Sequence, residues 1–361
     1  MENKLKVGVL GATGMVGQKY IHLLEDHPWF EVTYVAASPR SAGKTYEQAT
    51  EGRWAMNKPI PKNVKDLMVH DASKVEEAKE CDFVFSAVEM EKDQIKAIEN
   101  EYAKNNIPVV SNNSAHRWTE NVPMLIPEIN HPHIEIIKDQ KQANGWDKGF
   151  VVVKPNCSLQ SYITPIYALQ NAGYEIKEII LTTLQAISGA GKTFDTFPEI
   201  LDNVIPNIGG EEEKTEEEPH KILGKMENGK IVNDESIKIS STTTRVPASD
   251  GHMACVSVKF GDKKPTLEEI RKIWEEFKSV PQELELPFAP KKAITYNEDE
   301  YRPQTKLDRD NDKGMTVTVG RLRPCNVFDI RYVGLSHNTI RGAAGGGILN
   351  AELLKAKGYF D

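Results

Sequence analysis

The chain has 361 residues, of which 39% are hydrophobic and 27% charged, and a formal net charge of -8. This length predicts two domains of ordinary size. No apolar run approaches the roughly 20 residues of a membrane-spanning helix, and an acidic chain without a basic patch argues against nucleic acid or an anionic membrane as a partner. Because the first predicted strand begins by Lys6, which leaves no room for a signal peptide, we expect a soluble cytoplasmic protein.

The first predicted element is a strand, Lys6–Leu10, that leads into a glycine-rich turn, Gly11–Gly17. Apolar residues at helical intervals follow, so the segment is typical of the first βα turn of a dinucleotide-binding fold. Glycines let a pyrophosphate approach the N–H groups at the helix N-terminus. The G-x-x-G-x-x-G spacing departs from G-x-G-x-x-G, and the flanking strand and helix therefore carry much of the weight. We predict that a nicotinamide or flavin nucleotide contacts Gly11, Thr13, Gly14, Met15 and Val16.

Short apolar segments continue through the first half of the chain and alternate with helical ones. This alternation predicts a Rossmann-type, doubly wound parallel sheet that binds the nucleotide at the carboxyl ends of its strands. The predicted helix Lys92–Asn105 separates two of these segments. The predicted strands are Glu31–Ala37, Phe83–Ala87, Pro108–Ser111 and Phe150–Val153.

The residues after the second strand predict the choice of nucleotide. NAD-binding folds usually place an acidic residue there to bind the ribose 2′-hydroxyl. This chain has Ser38, Arg40 and Ser41 instead. Hydroxyl groups and a guanidinium suit a 2′-phosphate, so we predict that the cofactor is NADP.

The second half of the chain contains longer segments in which apolar and polar residues alternate. They predict a large mixed or mostly antiparallel sheet in an α+β domain, with a helix at Leu267–Val280 on one face. A glycine-rich turn, Asn338–Gly347, leads into a final helix at Ile348–Lys357. We divide the chain into residues 1–155, completed by residues 338–361, and residues 156–337. The predicted strands are Ile179–Ile187, Ile237–Val246, Met253–Phe260, Thr316–Leu322 and Val327–Leu335.

The four cysteines are scattered and form no CxxC pair, so they predict neither disulfides nor a metal site. Cys157 stands in Pro-Asn-Cys-Ser, between a predicted strand and a predicted helix, Ser158–Gln170. The positive end of that helix should stabilise a thiolate and lower the thiol pKa, which makes Cys157 the candidate nucleophile. Cys81, Cys255 and Cys325 are interpreted as core cysteines.

A thiol nucleophile needs a proton-transfer partner and a group that orients the substrate. Arg245 and His252 flank a loop marked by proline and glycine, which could hold both side chains near one ligand. Their convergence is left open by these residues alone. The acidic run Glu211–Glu218 is interpreted as mostly a solvated helix face.

Seven motifs, spread from end to end and in consistent order, give the chain a family resemblance. It resembles the aspartate-semialdehyde dehydrogenases and is most similar to the archaeal and fungal branch of that family. The motifs are GATGMVG from Gly11, SNNSAHR from Ser111, PNCS from Pro155, QAISGAG from Gln185, EEEKTEEEPHKIL from Glu211, RVPASDGH from Arg245 and HNTIRGAAGG from His337.

The resemblance implies NADPH-dependent reductive dephosphorylation of β-aspartyl phosphate to aspartate 4-semialdehyde, in lysine, methionine and threonine biosynthesis. It implies that Cys157 forms a thioester, that His252 is a general acid/base, for which an ordinary pKa of about 6.5 would suit, and that Gln185 positions the substrate. It further implies a homodimer or homotetramer whose second domain serves catalysis and dimerisation. The matching substrate-binding residues are Arg245 for the α-carboxylate, Arg117, Asn156 and Lys214 for phosphate, and Glu211 for the amino group; Ser86, Gly189 and Asn338 are further predicted cofactor contacts.

Three alternatives stay open at this point. Malonyl-CoA reductase resembles the same branch and would keep the thiol, the histidine and NADPH. N-acetyl-glutamyl-phosphate reductase is a more distant thioester-forming relative. A protein of another class, which binds NADP without catalysis, would keep only the nucleotide fold.

Overall fold

The computed structural model describes residues 3–361 and contains a six-stranded parallel sheet formed by the first part of the chain. Its strand order is β3-β2-β1-β4-β5-β6, which confirms the predicted doubly wound sheet. Alternate side chains such as Val9 and Leu10 enter separate apolar clusters on the two faces. The strands are β1 Leu5–Leu10, β2 Phe30–Ala37, β3 Val69–Asp71, β4 Phe83–Ser86, β5 Val109–Ser111 and β6 Val151–Val153.

Helices cover both faces of this sheet. The longest, α4, buries Ile95 and Tyr102 against one face, while α1 and the C-terminal helix pack on the other. The helices of this region are α1 Met15–Leu23, α2 Tyr46–Thr50, α3 Lys62–Lys65, α4 Lys92–Lys104, α5 Pro127–Asn130 and α6 Ile137–Asn144.

A second six-stranded sheet, of order β10-β7-β11-β14-β13-β12, follows. Strand β10 runs parallel to β7 and β12 parallel to β13, whereas the other neighbours are antiparallel. The predicted mixed sheet is therefore confirmed. Its strands are β7 Ile176–Gln185, β10 Lys238–Arg245, β11 His252–Phe260, β12 Ile294–Asn297, β13 Val317–Pro324 and β14 Ile330–Ser336, and a separate hairpin joins β8 Lys225–Glu227 to β9 Lys230–Val232.

One face of the second sheet is covered and the other is open. Trp274 packs against Tyr332 on the covered face and donates to the Pro165 carbonyl oxygen. On the other face Ile180 and Cys255 are exposed. The helices of this region are α7 Ile163–Asn171, α8 Glu211–Ile222, α9 Leu267–Glu276, α10 Val280–Glu283 and α11 Thr305–Asp308.

The chain returns to the first sheet through α12, Gly345–Ala356, which follows an irregular turn at Ile340–Ala344. The helix contacts α1 and β5. A Cβ atom on Gly347 would lie 1.9 Å from the Tyr20 hydroxyl. Only glycine therefore allows the two helices this close approach.

Several predicted boundaries were wrong for local reasons. The strand predicted from Val327 begins at Ile330, because Val327 lies in the preceding turn and is 83% exposed. The helix predicted from Ser158 is a short 3₁₀ turn, Ser158–Ser161, followed by α7. The helix predicted to reach Val280 ends at Glu276, where Phe277 adopts extended backbone angles.

The second sheet positions three predicted site residues at the same end of neighbouring strands. Because β10 and β7 are parallel and pair in register, Arg245 lies opposite Gln185 at their carboxyl ends. The antiparallel strand β11 begins at this end with His252. The topology thus brings residues 185, 245 and 252 together.

Candidate active site

Cys157 lies in the turn between β6 and the 3₁₀ segment and is partly accessible to solvent. The side-chain oxygen of Asn156 accepts hydrogen bonds from the Ser158 amide, at 2.8 Å, and the Ser158 hydroxyl, at 2.7 Å. A Cβ atom on Gly342 would lie 2.8 Å from the Cys157 Cβ. The thiol is therefore held between a fixed turn and the glycine-rich C-terminal segment.

The expected lowering of the Cys157 pKa was wrong. Burial raises the pKa of this thiol to about 11, and the Glu211 carboxylate raises it further against the opposing effect of Lys154, Arg117 and Arg245. The helix expected to stabilise the thiolate is interrupted after one short 3₁₀ turn, and desolvation disfavours the charged form. The free protein therefore holds Cys157 as a thiol.

Lys154 is a buried cation that the sequence analysis missed. Its ammonium group donates to the carbonyl oxygens of Pro155, at 3.1 Å, and Gly342. Burial lowers its pKa to about 7, although the nearby Cys157 raises it. The available signal was a lysine at the end of an apolar run, directly before the Pro-Asn-Cys motif.

Glu211 connects three of the predicted site residues. Its carboxylate accepts from the Asn156 amide at 2.9 and 3.0 Å, from the Lys214 ammonium at 2.8 Å and from the Gln185 amide at 3.4 Å. Asn156 and Lys214, which we predicted to hold phosphate, are thus tied to the residue predicted to bind the amino group. The structure brings all four together beside Cys157.

We expected the acidic run on α8 to be mostly solvated, and this prediction was wrong. Glu211 and Glu218 are buried, and Glu212 and Glu216 accept hydrogen bonds from backbone amides of β10. Residues seven apart lie on one face of a helix. That spacing was the signal that could have identified Glu218.

Glu218 accepts from the Arg117 guanidinium at 2.8 Å and from the Asn156 backbone amide at 2.7 Å. The Arg117 Nε group also donates to the Lys154 carbonyl oxygen at 3.0 Å. Arg117 therefore lies at the turn that carries Cys157, although it is far from Cys157 in the sequence.

Arg245 and His252 converge, which the sequence left open. The Arg245 Nη1 group donates to the Ala186 carbonyl oxygen at 2.7 Å, and His252 Nδ1 accepts from the Ala186 amide at 3.1 Å. A Cβ atom on Gly189 would lie 2.9 Å from Arg245 Nη1 and 3.0 Å from His252 Nε2. Both side chains therefore face the backbone of Gly189.

The expectation of an ordinary His252 pKa was wrong. Burial lowers the pKa to about 3, and the Arg245 charge lowers it further. Since Nδ1 accepts from Ala186, the proton of the neutral ring is on Nε2. Within residues 3–361 this buried Nε2 atom has no hydrogen-bond partner, which leaves an unpaired N–H group beside Gly189.

Two adjoining clefts, with about 710 and 1090 Å³ of empty space, lie beside the glycine-rich turn. Both are lined by Thr13 and Gly14, which is the N-cap of α1. A Cβ atom on Gly14 would have no protein atom closer than 3.5 Å, which leaves this helix terminus accessible. The clefts thus suit a long ligand with an anionic group at its centre.

The other two glycines of the turn allow close packing of the backbone. Gly11 has a φ of 76°, and its Cβ would lie 2.3 Å from the Ala87 carbonyl oxygen, so it allows close approach of β4. A Cβ atom on Gly17 would lie 2.1 Å from the Gly11 carbonyl oxygen. Gly17 therefore allows α1 to lie close to β1.

The remaining predicted cofactor residues differ in accessibility. Ser38 and Arg40 line the first cleft, and Met15, Val16 and Gly189 line the second. The other three, Ser41, Ser86 and Asn338, are buried. The Ser86 hydroxyl accepts from the Asn113 side-chain amide at 3.1 Å. The side chain of Asn338 accepts from the Gly251 amide and donates to the Ser188 hydroxyl.

The other cysteines occupy different environments. Cys81 is buried, as expected, but Cys255 is exposed on the open sheet face and Cys325 is half-buried in a turn.

In residues 3–361 no three His, Cys, Asp or Glu side chains are grouped to hold a metal ion. The same residues contain no helix that is both long and apolar enough to cross a bilayer.

Comparison with protein families agrees with this architecture. The model described as "Semialdehyde dehydrogenase, NAD binding domain" matches residues 6–137, and "Semialdehyde dehydrogenase, dimerisation domain" matches residues 166–341. These matches cover five of the six strands of the parallel sheet and all six strands of the mixed sheet.

Individual proteins resemble the chain over almost its full length. Aspartate-semialdehyde dehydrogenase of Schizosaccharomyces pombe is 43% identical, with 98% of both chains covered. The Archaeoglobus fulgidus enzyme is also 43% identical, over 97% of this chain and 98% of the relative. The crystal structure of the Candida albicans enzyme with NADP has a TM-score of 0.88 and 38% identity, and the match covers 99% of this chain and 100% of that one.

Proposed function

Because the chain belongs to the aspartate-semialdehyde dehydrogenase family, we propose that it performs the reaction of that family through a thioester on Cys157. The enzyme is an NADP-dependent oxidoreductase that converts β-aspartyl phosphate to aspartate 4-semialdehyde and phosphate, in lysine, methionine and threonine biosynthesis. The observation that supports the proposed site best is the convergence of Cys157 with Arg117, Glu211 and Arg245, all of which perturb its pKa.

The first step is acyl transfer to Cys157. The sulfur bonds to the acyl carbon, the carbon–oxygen bond to phosphate breaks, and the thiol proton leaves on the phosphate. Arg117 and Lys214 stabilise the negative charge of the leaving group, since charged donors bind phosphate strongly. The raised thiol pKa means that this proton must be removed as the bond forms.

The second step reduces the thioester. NADPH, when bound, supplies the hydride. The Nε2–H group of His252 donates a hydrogen bond to the substrate carbonyl oxygen as negative charge develops there. The carbon–sulfur bond then breaks as the carbonyl re-forms, and the Cys157 thiolate takes a proton from solvent to restore the thiol. A histidine that is neutral and bears its proton on Nε2 suits this donor role.

Three side chains orient the amino-acid part of the substrate. Arg245 pairs with the α-carboxylate, for which a planar guanidinium has the right shape. Glu211 meets the α-amino group, and Gln185 holds the acyl group beside the thiol. The hydrogen bonds of Glu211 to Asn156, Lys214 and Gln185 support this arrangement, because one carboxylate aligns all three.

The two clefts fit NADP. The N-terminus of α1, at Gly14, would hold the pyrophosphate, and Ser38 and Arg40 would bind the 2′-phosphate. Met15, Val16, Thr13 and Gly189 line the remaining length. The buried Ser41, Ser86 and Asn338 act from below the surface by holding the loops that form the clefts.

We divide the chain at residue 155, with residues 338–361 completing the NADP-binding domain. The second domain, 156–337, then forms a homodimer through the open face of the mixed sheet, where Ile180 and Cys255 are exposed. The dimerisation-domain match supports this surface. The enzyme works in the cytoplasm and needs neither nucleic acid nor a membrane.

Purified enzyme, incubated with NADPH and either β-aspartyl phosphate or malonyl-CoA, tests the function. We expect NADPH oxidation with the acyl phosphate and an aspartyl group on Cys157, located by peptide mass spectrometry. Oxidation with malonyl-CoA alone would favour the malonyl-CoA reductase alternative. NADP binding without any acylated Cys157 would indicate a non-catalytic protein.

A further inference from the structure

Glu218 is a buried carboxylate to which the proposed mechanism gives no role. It lies two helical turns after Glu211 on the same face of α8 and is 1% exposed. A buried charge is costly unless other groups compensate for it. Its partners therefore indicate what it does.

The two carboxylate oxygens of Glu218 bind two different parts of the site. Oε1 accepts from Arg117 Nη1 at 2.8 Å, and Oε2 accepts from the Asn156 backbone amide at 2.7 Å. Arg117 Nε donates to the Lys154 carbonyl oxygen at 3.0 Å. These three hydrogen bonds close a ring around residues 154–156, directly before Cys157, and we call this arrangement the Glu218 ring.

Phosphate transfer needs both the Arg117 guanidinium and the turn that carries Cys157, and the ring fixes their relative position. Arg117 has five N–H donors, of which the ring uses two. We propose that Glu218 is a positioning residue that holds the other Arg117 donors at the phosphate while the acyl carbon is at Cys157. This inference rests on the proposed function.

Only a carboxylate of this length can complete the ring. Both neighbours of Glu218 are N–H donors, so a glutamine, which has one acceptor oxygen, can satisfy only one of them. Aspartate keeps the charge but is shorter by one methylene group and cannot reach both. If position matters more than charge, Glu218→Gln and Glu218→Asp should have similar effects.

A second buried pair provides the matched control. Glu128 accepts from Arg341 at 2.8 Å, and these side chains are 1% and 2% exposed. The other hydrogen bonds of Arg341 go to Met315 and Thr164, not to residues 154–157. Glu128→Gln thus breaks an equally buried ion pair outside the ring.

The test uses the oxidative direction, where hydride transfer and phosphate attack are separable. Single-turnover NADPH formation from aspartate semialdehyde without phosphate reports thioester formation. Steady-state kcat/KM for phosphate reports its transfer. Because a misplacement of about 1 Å costs about 10²-fold, we expect both Glu218 variants to lose about 10²-fold in kcat/KM for phosphate and to change the single-turnover rate by less than about threefold.

In Glu128→Gln the ratio of the two rates should equal that of the wild type. Equal losses in both steps for the Glu218 variants, or no loss for phosphate, would overturn the positioning role. Absence of phosphate-independent NADPH formation in the wild type would instead contradict the proposed function.

A double variant covers the case in which the single Glu218 variants do not fold. Replacing both partners of a buried ion pair leaves no uncompensated charge and is better tolerated than removing one. If Glu218 acts through Arg117, Arg117→Gln with Glu218→Gln should match Arg117→Gln alone in kcat/KM for phosphate, within about threefold. A further tenfold loss in the double variant would contradict the proposal.

Discussion

The cofactor clefts differ in their chemical groups from the cluster of residues around Cys157, which we call the acyl-transfer centre. The clefts use backbone and accessible side chains from short segments, chiefly residues 11–18, 38–40 and 188–192. The centre uses charged side chains, most of them buried, that come from five separate segments: Arg117, Lys154–Cys157, Gln185, Glu211–Glu218 and Arg245–His252. A change in a cleft should therefore act locally, whereas a change in the centre should disturb several partners.

The charges of the centre also suit its substrate. Four basic side chains face two carboxylates, which leaves an excess of two positive charges when all are ionised. An acyl phosphate with an α-carboxylate and an α-amino group has a net charge of the opposite sign, so the pattern suits the substrate. The basic residues are Arg117, Lys154, Lys214 and Arg245, and the carboxylates are Glu211 and Glu218.

Cys157→Ala should show the largest difference between the two regions, because it should abolish turnover and leave NADP binding intact. Without the sulfur no thioester can form, so turnover should become undetectable in both reaction directions. NADP affinity, measured by calorimetry, should stay within about twofold, because distant sites behave independently. Cys325→Ala, at a half-buried thiol in a turn, is the control and should be fully active. Substantial turnover in Cys157→Ala would remove Cys157 from the mechanism.

His252→Asn should have the next largest effect. The variant removes the Nε2–H donor to the reacting carbonyl oxygen, a contribution worth about 10²- to 10³-fold in rate. NADPH oxidation with β-aspartyl phosphate measures it, again beside NADP binding. His133→Asn, a change at another buried histidine with a lowered pKa, controls for damage to packing. A loss no greater than that of the control would indicate that His252 is structural.

The same contrast explains what could be predicted from the sequence. The cleft residues are contiguous, so the glycine turn and Arg40 could be identified from local spacing and turn chemistry. Cys157 could be found because its strand-to-turn context is also local. Glu218 and Lys154 were not identified, although helical spacing and the neighbouring motif gave local signals, because their roles depend on partners about a hundred or more residues away, such as Arg117 and Gly342.

Errors in the predicted pKa values have the same origin. The sequence shows a cysteine before a predicted helix and a histidine in a loop, and both patterns suggest ordinary or favourable titration. It does not show the burial that raises the pKa of Cys157 and lowers that of His252. Desolvation depends on the packing of the whole domain and outweighs these local signals.

The pH dependence of Cys157 alkylation should show this burial directly. With a thiol pKa of about 11, the thiolate fraction and the iodoacetamide reaction rate should rise about tenfold per pH unit from pH 7 to 10. Mass spectrometry of the Cys157 peptide separates its reaction from those of the other cysteines. A plateau below pH 9 would show that the free enzyme stabilises the thiolate.

Arg245→Lys tests whether shape or charge matters at the substrate carboxylate. Lysine keeps the charge but loses the two parallel donors and cannot reproduce the bond of Nη1 to Ala186. We expect kcat/KM for aspartate semialdehyde to fall about 10²-fold, through misplacement of the carbonyl. NADP affinity should not change, and Arg245→Leu should lose more. Equal activity of wild type and Arg245→Lys would exclude a carboxylate clamp.

Arg40→Asp should have the smallest effect, and it should be confined to the clefts. Arg40 is exposed and lines the first cleft beside Ser38, so no buried partner is left uncompensated by its replacement. A carboxylate repels the 2′-phosphate and can accept from a free 2′-hydroxyl. The ratio of kcat/KM for NADP to that for NAD should fall at least about tenfold, which corresponds to about 1.4 kcal/mol.

Lys44→Asp, an equal charge change at a nearby exposed residue outside the cleft lining, separates this contact from a general electrostatic effect. The single-turnover rate at saturating NADP should stay at the wild-type value, because the acyl-transfer centre does not contact Arg40. An unchanged ratio would transfer the 2′-phosphate role to Ser38 or Arg53, which lines the same cleft.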